Sequence, residues 1–247
     1  MSGFFYEILY RPLFNALIIL YNYLPLHDVG IAIVLLTILI RLILFPLFHK
    51  SARDQAIIQR LAPKVKEIQD THKKDKEKQA RALMELYREH RVNPLSGFLL
   101  ILLQLPILIA LYQVFLKGFS ANSLAALYSF VTQPSSFGHY FLGFIDLTKR
   151  NVIVVLLAAI AQYFQGKFSL IPSGINNKRE LTSTEAMSKQ MVYLGPILTI
   201  VFFYFLNLPS AVGLYWLTTS AFSVIQQIII NRNVARYFEE NKLKELK

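Results

Sequence analysis

The chain has 247 residues, 54% of them apolar and only 17% charged, a greasier balance than a water-soluble domain of this length can usually bury. It contains no cysteine, which excludes a disulfide, a thiolate metal site, a cysteine nucleophile and a lipid-modified N-terminal cysteine. The net charge is +11, but twelve of the 26 lysines and arginines fall between His49 and Val92, so the basicity belongs to one loop and not to a coat for nucleic acid.

The opening segment, Phe4 to Leu24, has neither a basic n-region with a cleavage site nor the composition of a transit peptide, and is read as a mature start. It is apolar, yet Glu7, Arg11, Asn15 and Asn22 fall within about 80° of one helical face. Such a stripe suits an amphipathic helix lying in the membrane interface, which Pro12 would bend. The other reading is a further span, which would move the N-terminus to the opposite side.

Five apolar blocks follow: Val29 to Phe48, Leu95 to Leu116, Val152 to Phe168, Met191 to Leu208 and Ala211 to Ile230. Each approaches the ~20 residues that carry a helix across a ~30 Å hydrocarbon core. The positive-inside rule places three parts in the cytoplasm: the basic loop, the Lys178-Arg179 connection, and the tail with Arg232, Arg236, Lys242, Lys244 and Lys247. Five crossings then put the N-terminus outside. The predicted fold class is all-α integral membrane, with five transmembrane helices, a cytoplasmic helical hairpin and an N-terminal interfacial helix. The expected divisions are an interfacial helix over 1–28, a five-helix core over 29–231 with its hairpin at 49–93, and a basic cytoplasmic tail over 232–247.

Arg41 stands inside the first block with no acidic neighbour, and none of the five blocks contains an aspartate or glutamate. It lies roughly 13 Å before Lys50 along a helix, too deep for easy snorkelling. Placing an arginine near a helix centre costs on the order of 2.5 to 3.5 kcal/mol on insertion scales, so intramembrane charge reads by default as functional. A hydrated cavity is the simplest remedy, and Gln104, Gln113, Gln162, Gln165, Thr218, Thr219 and Ser220 are candidate polar lining. Gln113 and Gln162 taken singly also read as packing glue between helices. Pro46 is placed to bend the first span just beyond Arg41, and Pro106 the second. Trp216, beside Tyr215, reads either as an aromatic-belt residue or as part of the cavity.

Between the first two blocks, Ile57, Leu61, Val65 and Ile68 recur at helical spacing, then a polar turn at Thr71 to Lys76 leads to Leu83, Leu86 and Tyr87. This predicts a helical hairpin in water, either a solvated charged loop or a docking element for anionic lipid, ribosome or nascent chain. Gly118 to Arg150 reads as a non-cytoplasmic loop skimming the interface, and Ser169 to Lys189 as a flexible cytoplasmic connection.

Four stretches together resemble the YidC family of membrane-protein insertases, in its short bacterial form. They are Val34 to Leu47 with Arg41; Leu61-Ala62-Pro63-Lys64 with Leu86-Tyr87; Val92-Asn93-Pro94-Leu95-Ser96-Gly97 running into Leu103-Gln104-Leu105-Pro106-Ile107; and Leu208 to Trp216 with Ile225-Gln226-Gln227. The chain departs from the family pattern at Ala211, where glycine is common, and at Gly213, where a bulkier residue is usual.

The resemblance implies an insertase without covalent chemistry, cofactor or metal, whose hydrophilic intramembrane groove includes Arg41, Gln104, Gln165 and Trp216. Its implied partners are nascent membrane proteins and the lipid bilayer of a bacterial plasma membrane, with the ribosome and the Sec translocon as candidate partners and no specific nucleic acid. A small-molecule transporter or channel using the same polar cavity is the rival reading. The spans carry no inverted repeat and no acidic coupling residue, and the chain has no G-x-S-x-G or H-E-x-x-H motif and no histidine inside a span.

Overall fold

The computed structural model describes residues 3–117, 124–134, 138–170 and 183–245. The elements in order are α1 (Gly3–Tyr23), α2 (Val29–Ile43), α3 (Phe45–Arg60), α4 (Ala62–Thr71), α5 (Lys76–Glu89) and α6 (Ser96–Lys117). A two-stranded antiparallel hairpin of β1 (Tyr140–Phe141) and β2 (Ile145–Asp146) follows, then α7 (Val152–Ser169), α8 (Ser183–Phe205) and α9 (Ser210–Glu245). Among the described residues, α1, α6, α7 and α9 are each long and apolar enough to cross a membrane, and α2 with α3 passes as one broken span. The apolar part of α8 covers Val192–Phe205. The chain is an all-α integral membrane protein of the multi-pass kind.

The helix of the first span is interrupted at Leu44, two residues before Pro46. Proline has no N–H for the Leu42 carbonyl and its ring crowds that oxygen, so the ladder ends and restarts with Pro46 in the first turn of α3, where a proline is tolerated. In contrast, α6 runs on through Pro106 and α8 through Pro196.

The chain divides into two compact units, the first made of Met1–Leu44, Ile101–Gln162 and Pro196–Phe222. Its core is built from Phe14, Leu17 and Ile18 of α1, Ile33 and Leu36 of α2, Leu111 and Val114 of α6, Val154 of α7 and Tyr215 of α9. The outward faces are equally apolar: Leu35, Leu39, Leu42, Leu102, Leu105, Leu156 and Phe202 are all exposed on the protein surface. Apolar residues inside and outside together are the signature of a bundle whose outer solvent is lipid.

Arg11, Asn15 and Asn22 of the polar stripe of α1 face protein, while Glu7 is exposed and pairs with Arg11 at 3.0 Å. Arg11 Nε and Asn15 Nδ2 both donate to the Ala126 carbonyl, at 3.1 and 3.0 Å. The Tyr128 N–H donates to Asn15 Oδ1 at 2.8 Å, and Asn22 Nδ2 to the Thr132 carbonyl at 2.7 Å. The expected interface-skimming loop is thus, over 124–134, a segment fastened to α1 by its own backbone groups; its residues 118–123 and 135–137 lie outside the described residues.

The second unit comprises Phe45–Leu100, Tyr163–Gly195 and Ser223–Lys247. The predicted hairpin stripe forms its core: Ile57, Leu61 and Val65 pack with Leu86, and Ile68, Leu83 and Tyr87 close around them. Asp75 caps α5 by accepting the Lys78 N–H at 3.0 Å. Ile230 and Val234 of α9 complete this core, and α9 continues as helix to Glu245. Residues from Arg232 onward therefore extend a packed helix, with Val234 only 1% exposed. Most of the expected flexible connection, residues 171–182, lies outside the described residues.

Candidate functional site around Arg41

Asp28 starts the element that carries Arg41. Its Oδ1 accepts the Ile31 N–H at 2.9 Å, capping α2, and its Oδ2 accepts the Leu142 N–H from the β-hairpin at 2.6 Å. Fixed in rotation, α2 turns Ile33, Leu36, Thr37 and Arg41 inward and Leu35, Leu39, Leu42 and Ile43 outward. Arg41 is 7% exposed and faces the interior of the unit, not the lipid side. Thr37, one turn earlier on the same face, returns its hydroxyl to the Ile33 carbonyl at 2.7 Å.

Tyr215 of α9 stands within electrostatic reach of Arg41. Its phenol oxygen accepts a hydrogen bond from Nε2 of Gln104 on α6. Of the four groove residues that the resemblance implies, Gln104 thus touches Tyr215, and Arg41 lies within electrostatic reach of the same side chain. The sequence signal for Tyr215 was available only as an aromatic neighbour of Trp216, because nothing in one sequence says which of two adjacent aromatics faces the arginine. Further along α9, Thr218 bonds back to the Leu214 carbonyl at 2.8 Å, and Ser220 is buried.

Trp216 points to another cluster. Half-buried, it meets Phe203 of α8 edge-on, with centroids 6.1 Å apart and planes at 73°, beside Val155 and Val212. Gln165 belongs to the second unit, where it is half-buried on α7 and its carbonyl accepts the Ser169 hydroxyl at 2.8 Å. Gln162 accepts the Thr199 hydroxyl, joining α7 to α8 as interhelical glue. In the first unit the buried Gln113 Oε1 has no protein hydrogen-bond partner and so is a site for water.

The arrangement offers one cation, one phenol, one amide and several hydroxyls inside an apolar bundle. Among the described residues no group of three or more histidine, aspartate or glutamate side chains is placed to hold a metal ion. What the set can do is attract an anion and exchange hydrogen bonds with a polar backbone or side chain entering from outside.

The profile of the family described as "60Kd inner membrane protein" matches residues 19–237. A protein named "Membrane protein insertase YidC" from Geobacter metallireducens is 32% identical over 232 residues, which is 93% of this chain and 38% of that protein. One of the same name from Francisella philomiragia is 34% identical over 204 residues, 83% of this chain and 32% of its own length. The chain thus spans between 32% and 38% of the length of these two relatives. With a profile match that covers all the predicted spans, and a 32% identical relative that covers 93% of the chain, the chain belongs to the 60Kd inner membrane protein family, the family of the YidC insertases.

Proposed function

We propose that this protein is a membrane-protein insertase. It receives hydrophobic segments of nascent proteins in a polar groove centred on Arg41 and releases them sideways into lipid. The observation that carries the reading is Arg41 itself, turned inward on α2 within electrostatic reach of Tyr215 while the outward face of the helix is apolar. Membership of the family and the printed names of the relatives support it.

The physical case is electrostatic. Two unit charges at 4 Å interact by about 1 kcal/mol in water and about 4 kcal/mol at an effective dielectric constant of 20. A carboxylate on a substrate's short translocated tail is therefore held far more firmly near Arg41 than in solution, while the attached apolar segment finds lipid beside it. Gln104 accompanies Arg41 in this reading, and Gln165 and Trp216 are the further groove residues that the family resemblance implies. Nothing in the cycle requires a covalent step, a metal or a cofactor.

The N-terminus lies outside and the C-terminus in the cytoplasm of a bacterial plasma membrane, with the 49–93 hairpin making first contact with ribosome, Sec translocon or nascent chain. The test is insertion of a single-span protein with an acidic N-tail into liposomes that contain only this purified protein, scored by protease protection. Protection with wild type and its loss with Arg41→Ala supports an autonomous insertase. No protection with wild type overturns that and moves weight to a Sec-dependent role or to a transporter.

A further inference from the structure

The turn between β1 and β2 presents an apolar tip in an expensive conformation. Leu142 sits at φ +51° and Gly143 at φ +80°. The left-handed region is unfavourable for a residue with a Cβ, and leucine has no polar group to offset the strain. The conformation is held by the Leu142 N–H donating to the buried Asp28 carboxylate at 2.6 Å and by the Phe144 N–H donating to the Phe141 carbonyl at 3.2 Å. The result is that Leu142 and Phe144 project outward, 52% and 70% exposed, with open space around Gly143.

We propose that this tip, Leu142-Gly143-Phe144, is a lipid anchor seated at the boundary between headgroups and acyl chains on the membrane face where α2 begins. Its depth follows from its attachments. Asp28 ties it to the first turn of α2, and the Phe141 ring lies against Gly30 so closely that a side chain there would overlap it. On the other side, the Ser210 N–H donates to the Lys149 carbonyl at 2.9 Å and the Ala211 N–H to the Leu147 carbonyl at 3.1 Å, fastening the chain after β2 to the first turn of α9. The hairpin therefore sits where two spanning helices leave the hydrocarbon.

The surroundings have the chemistry of that layer. Tyr140, Tyr204 and Phe205 are exposed, and the Arg150 guanidinium lies 4.6 Å from the Tyr204 ring centroid. Aromatic rings with a nearby cation populate membrane interfaces. The tip carries no charge, Asp146 is matched by Lys149 at 3.0 Å, and the Arg150 guanidinium is held over the Tyr204 ring and donates to the Tyr204 carbonyl at 3.1 Å. The occupant that fits is the bilayer boundary itself.

Because the chain lacks cysteine, single reporters are simple to place. Leu142→Cys and Phe144→Cys, each labelled with NBD in the full chain in phosphatidylcholine–phosphatidylglycerol nanodiscs, are compared with Lys74→Cys on the hairpin of the second unit. The expected result is severalfold stronger quenching by a lipid nitroxide at acyl carbon 5, and severalfold weaker quenching by iodide, than at Lys74→Cys. Iodide quenching equal to that at Lys74→Cys overturns the proposal, since the tip is then in water. Shielding from both quenchers overturns it as well, because protein then covers the tip. Either cysteine variant alone suffices if the other fails to fold.

Discussion

Gln104 donates a hydrogen bond to the phenol oxygen of Tyr215, and the same phenol lies within electrostatic reach of Arg41. Of the three, only the α6 amide and the α9 phenol are in hydrogen-bond contact; the α2 cation acts on the phenol through its field. The phenol oxygen holds the Gln104 amide, while the ring fills the core with Leu214 and Ala211. Tyr215→Phe keeps the ring and removes the oxygen, leaving the Gln104 amide without its acceptor. The expected cost is about 1 kcal/mol of stability, read as a small fall in thermal unfolding temperature in detergent. Insertion of acidic-tailed substrates should fall severalfold, whereas insertion of neutral-tailed ones should change little.

Arg41 is expected to act through its charge. Going from water to an effective dielectric of 20 raises a contact ion pair from about 1 to about 4 kcal/mol, a difference worth up to roughly a hundredfold. Arg41→Ala should therefore lower insertion of a substrate with two acidic tail residues by about tenfold to a hundredfold, with the protein still eluting as a folded species. Arg41→Lys should retain most of the rate, and changing the substrate's acidic residues to asparagine should remove the difference between wild type and Arg41→Ala. A variant series insensitive to tail charge would refute the electrostatic account.

How far the sequence exposed this site depended on the kind of signal. Arg41 was legible because a charge in an apolar run has one economical explanation, and the hairpin because Ile57, Leu61, Val65 and Ile68 keep a helical period. The stripe Glu7, Arg11, Asn15 and Asn22 was equally visible, but its partners were not. They are mostly backbone groups such as the Ala126 and Thr132 carbonyls, which every residue possesses. The helical run of α9 past Arg232 was hidden for a different reason: its charged residues read as a tail, while Val234 and Phe238 are too sparse to announce a packed face. Tyr215 was screened by Trp216, since helical rotation separates two adjacent aromatics by about 100° and the sequence does not say which way either points.

Gly213, which departs from the bulkier residue usual in the family, is explained by its neighbours. A Cβ placed there would come within 2.8 Å of Val154 Cγ1 and 3.3 Å of the Phe203 ring. Those two side chains fill the space that a larger residue would need. Gly213→Ala should therefore lose on the order of 1–3 kcal/mol through overpacking, despite the better helix propensity of alanine. Thermal unfolding in detergent checks this, and pairing it with Val154→Ala should recover part of the loss, because the second change removes the methyl that clashes.

The hairpin that carries the apolar tip should loosen in acid. The Thr148 hydroxyl donates to Asp146 Oδ1 at 2.6 Å, the Lys149 ammonium lies 3.0 Å from Oδ2, and the Thr148 N–H donates to Oδ1 at 3.0 Å. With the Thr148 hydroxyl as the largest cause, these contacts lower the carboxyl from 3.8 to about 2. A depressed carboxyl gives stabilisation that is fully present above the unfolded value and is lost as pH falls through the folded one, so the window runs from about 4 down to about 2. Hydrogen-exchange protection of the Leu147 and Thr148 amides, corrected for the intrinsic rate, should decline across that window and be flat above it. Asp146→Asn should show lower protection with no acid transition, since its side chain does not titrate. Thr148→Val should move the transition upward by removing the strongest donor. A transition unchanged in both variants would assign the acid sensitivity to another carboxylate.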